Sequence, residues 1–445
     1  MLKKTFRVVA ALPIVTLSWA APASAQDSGG LSGLLLRFFS EQNPVVLQQA
    51  PEPFNHSAHF VSQPEARATL QQLNRVIATQ ISTFPLTSSS AGFTFEFDPT
   101  IGVFERNTET FGPIFAERAL TAGRGRFSMG VTALEAEYNK FEGQDLREND
   151  MQLYLTHIDV NGDGTPTAVW FEGDLIRADL SIDLRNRTTV VVANYGVTDT
   201  FDIGVAVPFV ELDMTASILT SVERIATGPD PFVVHAFAGD ADSQLFPETG
   251  SASGVGDIVV RGKWNFAKSD SLNLAAALDV RLPTGDEDDL LGSGATQGKL
   301  FFIASKDRGR FTPRLSAGYT VSTEGSGVIG DLPNELSYSA GFDAALHSRV
   351  SFTADFVGRT LIDADRVVEE ERSFQHTFRT DPTVRTETRL TPVVETGNLN
   401  VAYLSAGVKI NPVGQLLLVG SVLVALNDNG LQDTVTPVVG LDYTF

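Results

Sequence analysis

The chain of 445 residues contains no cysteine. This excludes a disulfide scaffold, a thiolate metal site and a cysteine nucleophile, and it suits an exported chain that avoids thiol chemistry. Positive charge is scarce as well: 33 Lys and Arg stand against 54 Asp and Glu, a formal net charge of −21. Phosphate repels such a surface, so a nucleic-acid partner is excluded. Long apolar runs are missing beyond the N-terminus. The longest, Leu416 to Leu426, includes Gly420 and Ser421. It is far short of the roughly 20 residues of a spanning helix but matches the 9–11 of a tilted spanning strand. With 42% hydrophobic and 20% charged residues, the chain is too polar for a helical membrane protein and too apolar for disorder. What remains is a secreted soluble protein or a transmembrane barrel.

The N-terminus has the three parts of a signal peptide. Lys3, Lys4 and Arg7 are basic, Val8 to Ala21 is mostly apolar, and Ala23-Ser24-Ala25 is an A-x-A cleavage site. Residues 1–25 are therefore expected to be removed, leaving a chain that starts at Gln26 outside the cytoplasm.

From about residue 126 the dominant period is two. Ile258, Val260, Trp264 and Phe266 share one face, and Asp257, Arg261, Lys263 and Asn265 the other. Leu272, Leu274, Leu278 and Val280 alternate with Asn273, Asp279 and Arg281. The same pattern recurs around Leu315, Phe342 and Leu404. It is the signature of a sheet with one apolar and one polar face. Twelve strands are expected, within a range of 10–14, at about 126–139, 175–194, 200–213, 255–266, 270–283, 297–305, 310–322, 335–346, 348–362, 400–410, 414–426 and 434–445. The second carries Arg185-Asn186-Arg187 at its middle and could be two strands. Short connections (195–199, 267–270, 306–309, 347, 411–413) alternate with longer ones (140–174, 214–254, 284–296, 323–334, 363–399, 427–433). Sorted loops and an even strand count describe an all-β, antiparallel outer-membrane barrel over 126–445.

Phe445, with Tyr443, Leu441 and Val439 on the same face, resembles the signal read by the bacterial barrel-assembly machinery. That machinery and outer-membrane lipids are the expected partners. Residues 26–125 fall outside the barrel count. Leu70, Leu73, Val76 and Ile77 lie at helical spacing within 64–81. Residues 91–97 and 101–105 read as a hairpin, which could add two strands. The segment is either a periplasmic cap or a plug.

Further motifs carry a resemblance. Tyr195-Gly196-Val197-Thr198-Asp199 precedes Val207-Pro208-Phe209. Gly254-Val255-Gly256-Asp257-Ile258 follows, then Arg281-Leu282-Pro283-Thr284-Gly285-Asp286 and Leu291-Gly292-Ser293-Gly294. In this order, over about 175–445, the chain resembles the outer-membrane barrel family named for the MetA pathway of phenol degradation. The resemblance implies a barrel linked to uptake of aromatic compounds, and it implies no catalytic residues.

The polar faces direct Asp202, Asp257, Arg261, Lys263, Asp279, Arg281, Arg314, Asp343, Asp355, Arg359 and Lys409 toward the lumen. There they either pair with one another or set pore selectivity. Asp159, Asn161 and Asp163 open a D-x-N-x-D-G run, which gives oxygens at the spacing of a calcium loop. Trp170 stands where the bidentate Glu belongs, so the alternatives are a solvated turn and a Ca2+ site. No other cofactor is expected. The acidic tip Asp286 to Asp289 reads as a solvated face or a cation bridge. Neither G-x-S-x-G nor H-E-x-x-H occurs. The chain reads as a non-enzyme, with a Ser–His arrangement through His157, His235 or His376 the remaining catalytic alternative. Three functions follow: a channel for small, aromatic or apolar molecules; a closed structural or surface-interaction barrel; and an outer-membrane enzyme.

Overall fold

A computed structural model describes residues 30–38, 47–48, 56, 59–61, 64–82, 87–88, 90, 92–98, 103–106, 108–148, 151–227, 234–269, 272–325 and 330–445. The signal-peptide segment 1–25 and the proposed cleavage site lie outside these residues.

Twelve strands form one closed antiparallel ring. In chain order they are β1 Phe127–Tyr138, β2 Leu175–Gly196, β3 Phe201–Glu223, β4 Ile258–Lys268, β5 Asn273–Leu282, β6 Gln297–Ser305, β7 Phe311–Ser322, β8 Asn334–His347, β9 Val350–Phe378, β10 Asp381–Ile410, β11 Leu416–Ala425 and β12 Val435–Thr444. Each pairs with the next, and β12 closes on β1 through Val438↔Leu134 to Thr444↔Ser128. Phe445 donates its backbone N–H to the Phe127 carbonyl at 2.7 Å. Closure leaves no unpaired edge in the ring, which a bilayer requires because lipid offers backbone groups no partners. The strand at 175–196 is single. The hairpin Phe95–Asp98/Val103–Arg106 forms its own two-stranded sheet and adds nothing to the ring. No described helix is long and apolar enough to cross a membrane.

The alternation reverses partway along the tall strands, and this reversal marks the membrane boundary. On β3 the outward residues Phe201, Ile203, Val205, Val207 and Phe209 are apolar, while Asp202 and Gly204 point inward. Nine strand residues at a steep tilt span about 25 Å, the height of a barrel's apolar band. Beyond Phe209 the outward residues become Glu211 and Asp213, and the inward ones become Leu212, Met214, Ala216 and Ile218. β2 changes in the same way: outward Arg187, Arg185 and Asp183 are backed by inward Leu184, Ile182 and Leu180. Above the band the wall is a water-soluble sheet enclosing an apolar core.

This reversal corrects three sequence expectations. The connections at 214–254 and 363–399 are largely strand. β3 continues to Glu223 and pairs with Ser243–Val255, and β9 and β10 continue to Phe378 and from Asp381. The 140–174 connection contains the strand Met151–His157, paired to β2. An alternation with its faces exchanged does not register as a spanning strand, so the reading stopped at the band. The core above the band is filled by the N-terminal segment. The helix Pro64–Ser82 contributes Leu70, Leu73 and Ile77, and the turn at Leu31–Arg37 contributes Leu31, Leu34 and Leu35. They pack on Leu180, Ile182, Leu184 and Met214.

The assignment of faces is testable. Leu278 is outward on β5 and 51% exposed. Leu278→Arg is expected to destabilise the folded barrel in liposomes by about 2–4 kcal/mol in urea unfolding. Glu211→Arg, on the outer face above the band, is expected to change stability by less than about 0.5 kcal/mol.

Candidate functional site

Between the outer core and β1 the chain passes down the inside of the ring. Residues 108–122 have almost no regular structure, yet Phe111, Ile114, Ala119 and Ala122 are buried. A buried irregular backbone needs hydrogen-bond partners, and inward side chains of five strands supply them. Ser351 accepts from the Phe111 N–H at 3.2 Å, and Asp355 Oδ2 accepts from Ile114, Phe115 and Ala116 at 3.4, 3.2 and 3.4 Å. Ser305 accepts from Ala119 at 3.2 Å, and Asn265 donates to the Ala119 carbonyl at 3.0 Å. Lys263 donates to the Leu120 carbonyl at 2.9 Å, and Lys409 to the Phe111 carbonyl at 3.4 Å. Asp202 accepts from Ala122 at 3.0 Å.

The remaining wall charges mostly pair with one another. Arg314 bridges Asp343 at 2.7 Å and Asp355 at 2.5 Å, with all three side chains fully buried. Arg261 binds Asp279 at 2.6 Å and reaches Glu117 of the threaded segment. Lys263 lies 3.8 Å from Asp202, and Arg359 lies 3.6 Å from Glu335. Asp257 sits in the break before β4 and caps the neighbouring connection, accepting from Gly285 and Ser293 at 3.1 and 2.9 Å.

A cavity of about 170 Å³ remains between the threaded segment and the wall. Phe115 and Glu117 line one side, and Arg261, Arg281, Lys299, Phe301 and Arg359 the other. The Arg261 guanidinium stands 5.0 Å and the Lys299 ammonium 5.5 Å from the Phe301 ring centroid. Arg281 donates to the Ser82 carbonyl. Neither Arg281 nor Lys299 forms an ion pair among the described residues.

The Asp159 loop is turned onto its own backbone. Asp159 accepts from Gly162 and Gly164 at 2.7 Å each, and Asp163 accepts from Thr165 at 2.8 Å. Asn161 donates to Asp163 at 2.7 Å. The Gly164 and Gly162 N–H groups hold the Asp159 carboxyl below the usual range. Glu172 is buried beside the loop and accepts from Val160 at 2.8 Å.

Sequence reasoning missed a meeting of His56, His59, His157 and His235 at the tall end of the barrel. Burial is the main cause that lowers the His56 pKa to about 4 and the His157 pKa to about 3. The hydrogen-bond partners of His157 and His235 among the described residues are imidazoles, the Ile158 carbonyl and Asp174, with no serine hydroxyl. The only local signal was His56-x-x-His59.

Asp355 is the wall residue with the most backbone bonds to the threaded segment. Asp355→Ala leaves three N–H groups and Arg314 short of an acceptor. It is expected to cost about 3–5 kcal/mol in urea unfolding and to expose 108–122 to protease while the gel shift of a folded barrel persists.

Residues 166–384 match the family model described as "Putative MetA-pathway of phenol degradation". No curated protein matches the chain. Among solved structures, the COG4313 outer membrane channel of Pseudomonas putida F1 is similar at 10% identity and a TM-score of 0.43, over 74% of this chain and 98% of that one. A FadL homologue of Pseudomonas aeruginosa follows at 12% identity and 0.30, over 72% and 90%. The Ralstonia pickettii toluene transporter TbuX gives 12% and 0.25, over 73% and 90%. The chain is a closed twelve-stranded antiparallel β-barrel that over residues 166–384 is similar to the family named for the MetA pathway of phenol degradation.

Proposed function

We propose that the protein is an outer-membrane channel for small aromatic molecules and that residues 26–125 act as its plug. The cavity beside Phe301 carries this reading. At about 170 Å³ it matches the roughly 150 Å³ in which an engineered protein cavity holds one benzene. Phe115 and Phe301 offer ring contacts, and Arg281 and Lys299 offer positive charge to a carboxylate or phenolate on the ring. The family description points to the same class of compound. Within the band the threaded backbone at 108–122 is held by hydrogen bonds to wall side chains as well as by the packing of Phe111, Ile114 and Ala119, and water or solute polar groups can replace those hydrogen-bond partners one at a time.

A closed structural barrel is the second reading. It is favoured by the apolar core above the band, where the helix Pro64–Ser82 fills the interior. Flux through liposomes separates the two. Purified protein is expected to pass benzoate and phenol faster than glucose. Arg281→Ala with Lys299→Ala is expected to lower benzoate flux several-fold while phenol flux changes less. Deleting residues 83–122 is expected to raise conductance. If neither intact nor plug-deleted protein conducts, the closed reading stands.

We also infer export through the signal peptide at 1–25 and recognition of Tyr443 and Phe445 by the assembly machinery. The tall β3 and β9–β10 extensions face outward from the cell in this reading. Tags placed in 214–254 or 363–399 are expected to be reachable on intact cells, and tags at 267–270 or 306–309 only after permeabilisation.

A further inference from the structure

We propose that His56, His157 and His235, with His59 at the rim, form a four-coordinate Zn2+ site that staples the N-terminal segment to the loops at the tall end of the barrel. Three of the chain's six histidines, His56, His157 and His235, hold ring nitrogens within 4.8 Å of one another, and His59 touches two of them from the rim. They come from three places. His56 and His59 precede the N-terminal strand residue Phe60, which pairs opposite His157. His157 ends the strand Met151–His157. His235 belongs to the connection between β3 and the strand Ser243–Val255.

The distances fit an ion better than a hydrogen-bond network. His56 Nδ1 lies 3.2 Å from His157 Nε2, 3.3 Å from His59 Nδ1 and 3.3 Å from His235 Nε2. His59 Nδ1 lies 3.3 Å from His157 Nε2. Four nitrogens at the usual Zn–N distance of about 2.0–2.1 Å from a common centre sit about 3.3 Å apart. His56, His157 and His235 are buried.

The other ring nitrogens are already committed. His157 Nδ1 faces the Ile158 carbonyl at 2.6 Å, and His235 Nδ1 faces Asp174 Oδ2 at 2.9 Å. Both acceptors fix the proton on Nδ1 and turn the Nε2 lone pair inward. Asp174 is itself held by the N–H groups of Ala226 and Thr227 at 2.9 Å each. His56 Nδ1 faces three nitrogens and can give a proton to only one of them. Inward lone pairs therefore oppose one another unless a cation lies between them. The carboxylate and carbonyl behind the imidazoles are the outer-shell supports that histidine ligands of metals normally have. With three converging imidazoles, no thiolate and a fourth position open to water or His59, Zn2+ fits better than Cu2+ or Ni2+, which prefer tetragonal arrangements. The site rests on its own geometry and holds whether or not the barrel conducts.

Calorimetric titration of the purified, EDTA-stripped barrel with Zn2+ tests it. One ion per chain is expected, and Co2+ in its place is expected to give the intense visible absorption of a tetrahedral complex. His235→Gln and Asp174→Asn are expected to weaken Zn2+ binding about 10–100-fold, while His347→Gln, at the exposed end of β8, leaves it unchanged. Zn2+ is also expected to slow proteolysis of the segment before residue 60. Each variant is first checked for the heat-dependent gel shift of a folded barrel. If His235→Gln does not fold, His59→Gln at the rim of the site replaces it. Absent stoichiometric binding by the wild type, an octahedral Co2+ spectrum, or full affinity in a folded ligand variant overturns the proposal.

Discussion

The structure depends on one requirement, that every buried backbone N–H and C=O find a partner. In the bilayer the requirement is met between strands, and only a closed ring meets it without a remainder. Inside the ring it has to be met a second time, because residues 108–122 run through the interior without a sheet of their own. Asp355, Ser351, Ser305, Asn265, Lys263, Lys409 and Asp202 act there as the partners that a neighbouring strand would otherwise be. The charges on the inner wall have this structural duty before any role in selectivity.

Not all of them are engaged in the same way. The buried Arg314 with its two aspartates is closed to solvent and gains little net stability over an apolar packing, because desolvation offsets attraction. What it supplies is orientation: Asp355 faces the threaded segment while its other oxygen is held by Arg314. Arg281 and Lys299 stand apart as cations beside a cavity. The same polar face thus divides into residues that pair within the wall or bond the threaded segment and residues that line the cavity without an ion-pair partner among the described residues.

The ring was legible because a half-wet sheet forces a period of two, and all twelve strands fall where that period occurs. The tall extensions were not, because above Phe209 the chain faces water outside and apolar groups inside. Leu212, Met214 and Ala216 then look like the lipid-facing set shifted by one residue, which a period alone cannot distinguish from a loop or a slip. The path of residues 108–122 was illegible for a different reason: it has no period, and its partners are up to about three hundred residues away in sequence. The histidines were visible one by one, and only strand pairing at Phe60 and His157 reveals that they share a centre.

The ring is shut by its first and last strands around a piece of the same chain. The helix Pro64–Ser82 lies at one mouth, and Phe127 begins β1 at the other. A 19-residue helix with side chains is about 10–12 Å across, so it cannot be drawn through a finished, filled cylinder. Residues 108–122 are thus tied at both mouths, to the helix at one and to β1 at the other, so each barrel carries its own filling in a ratio of one to one.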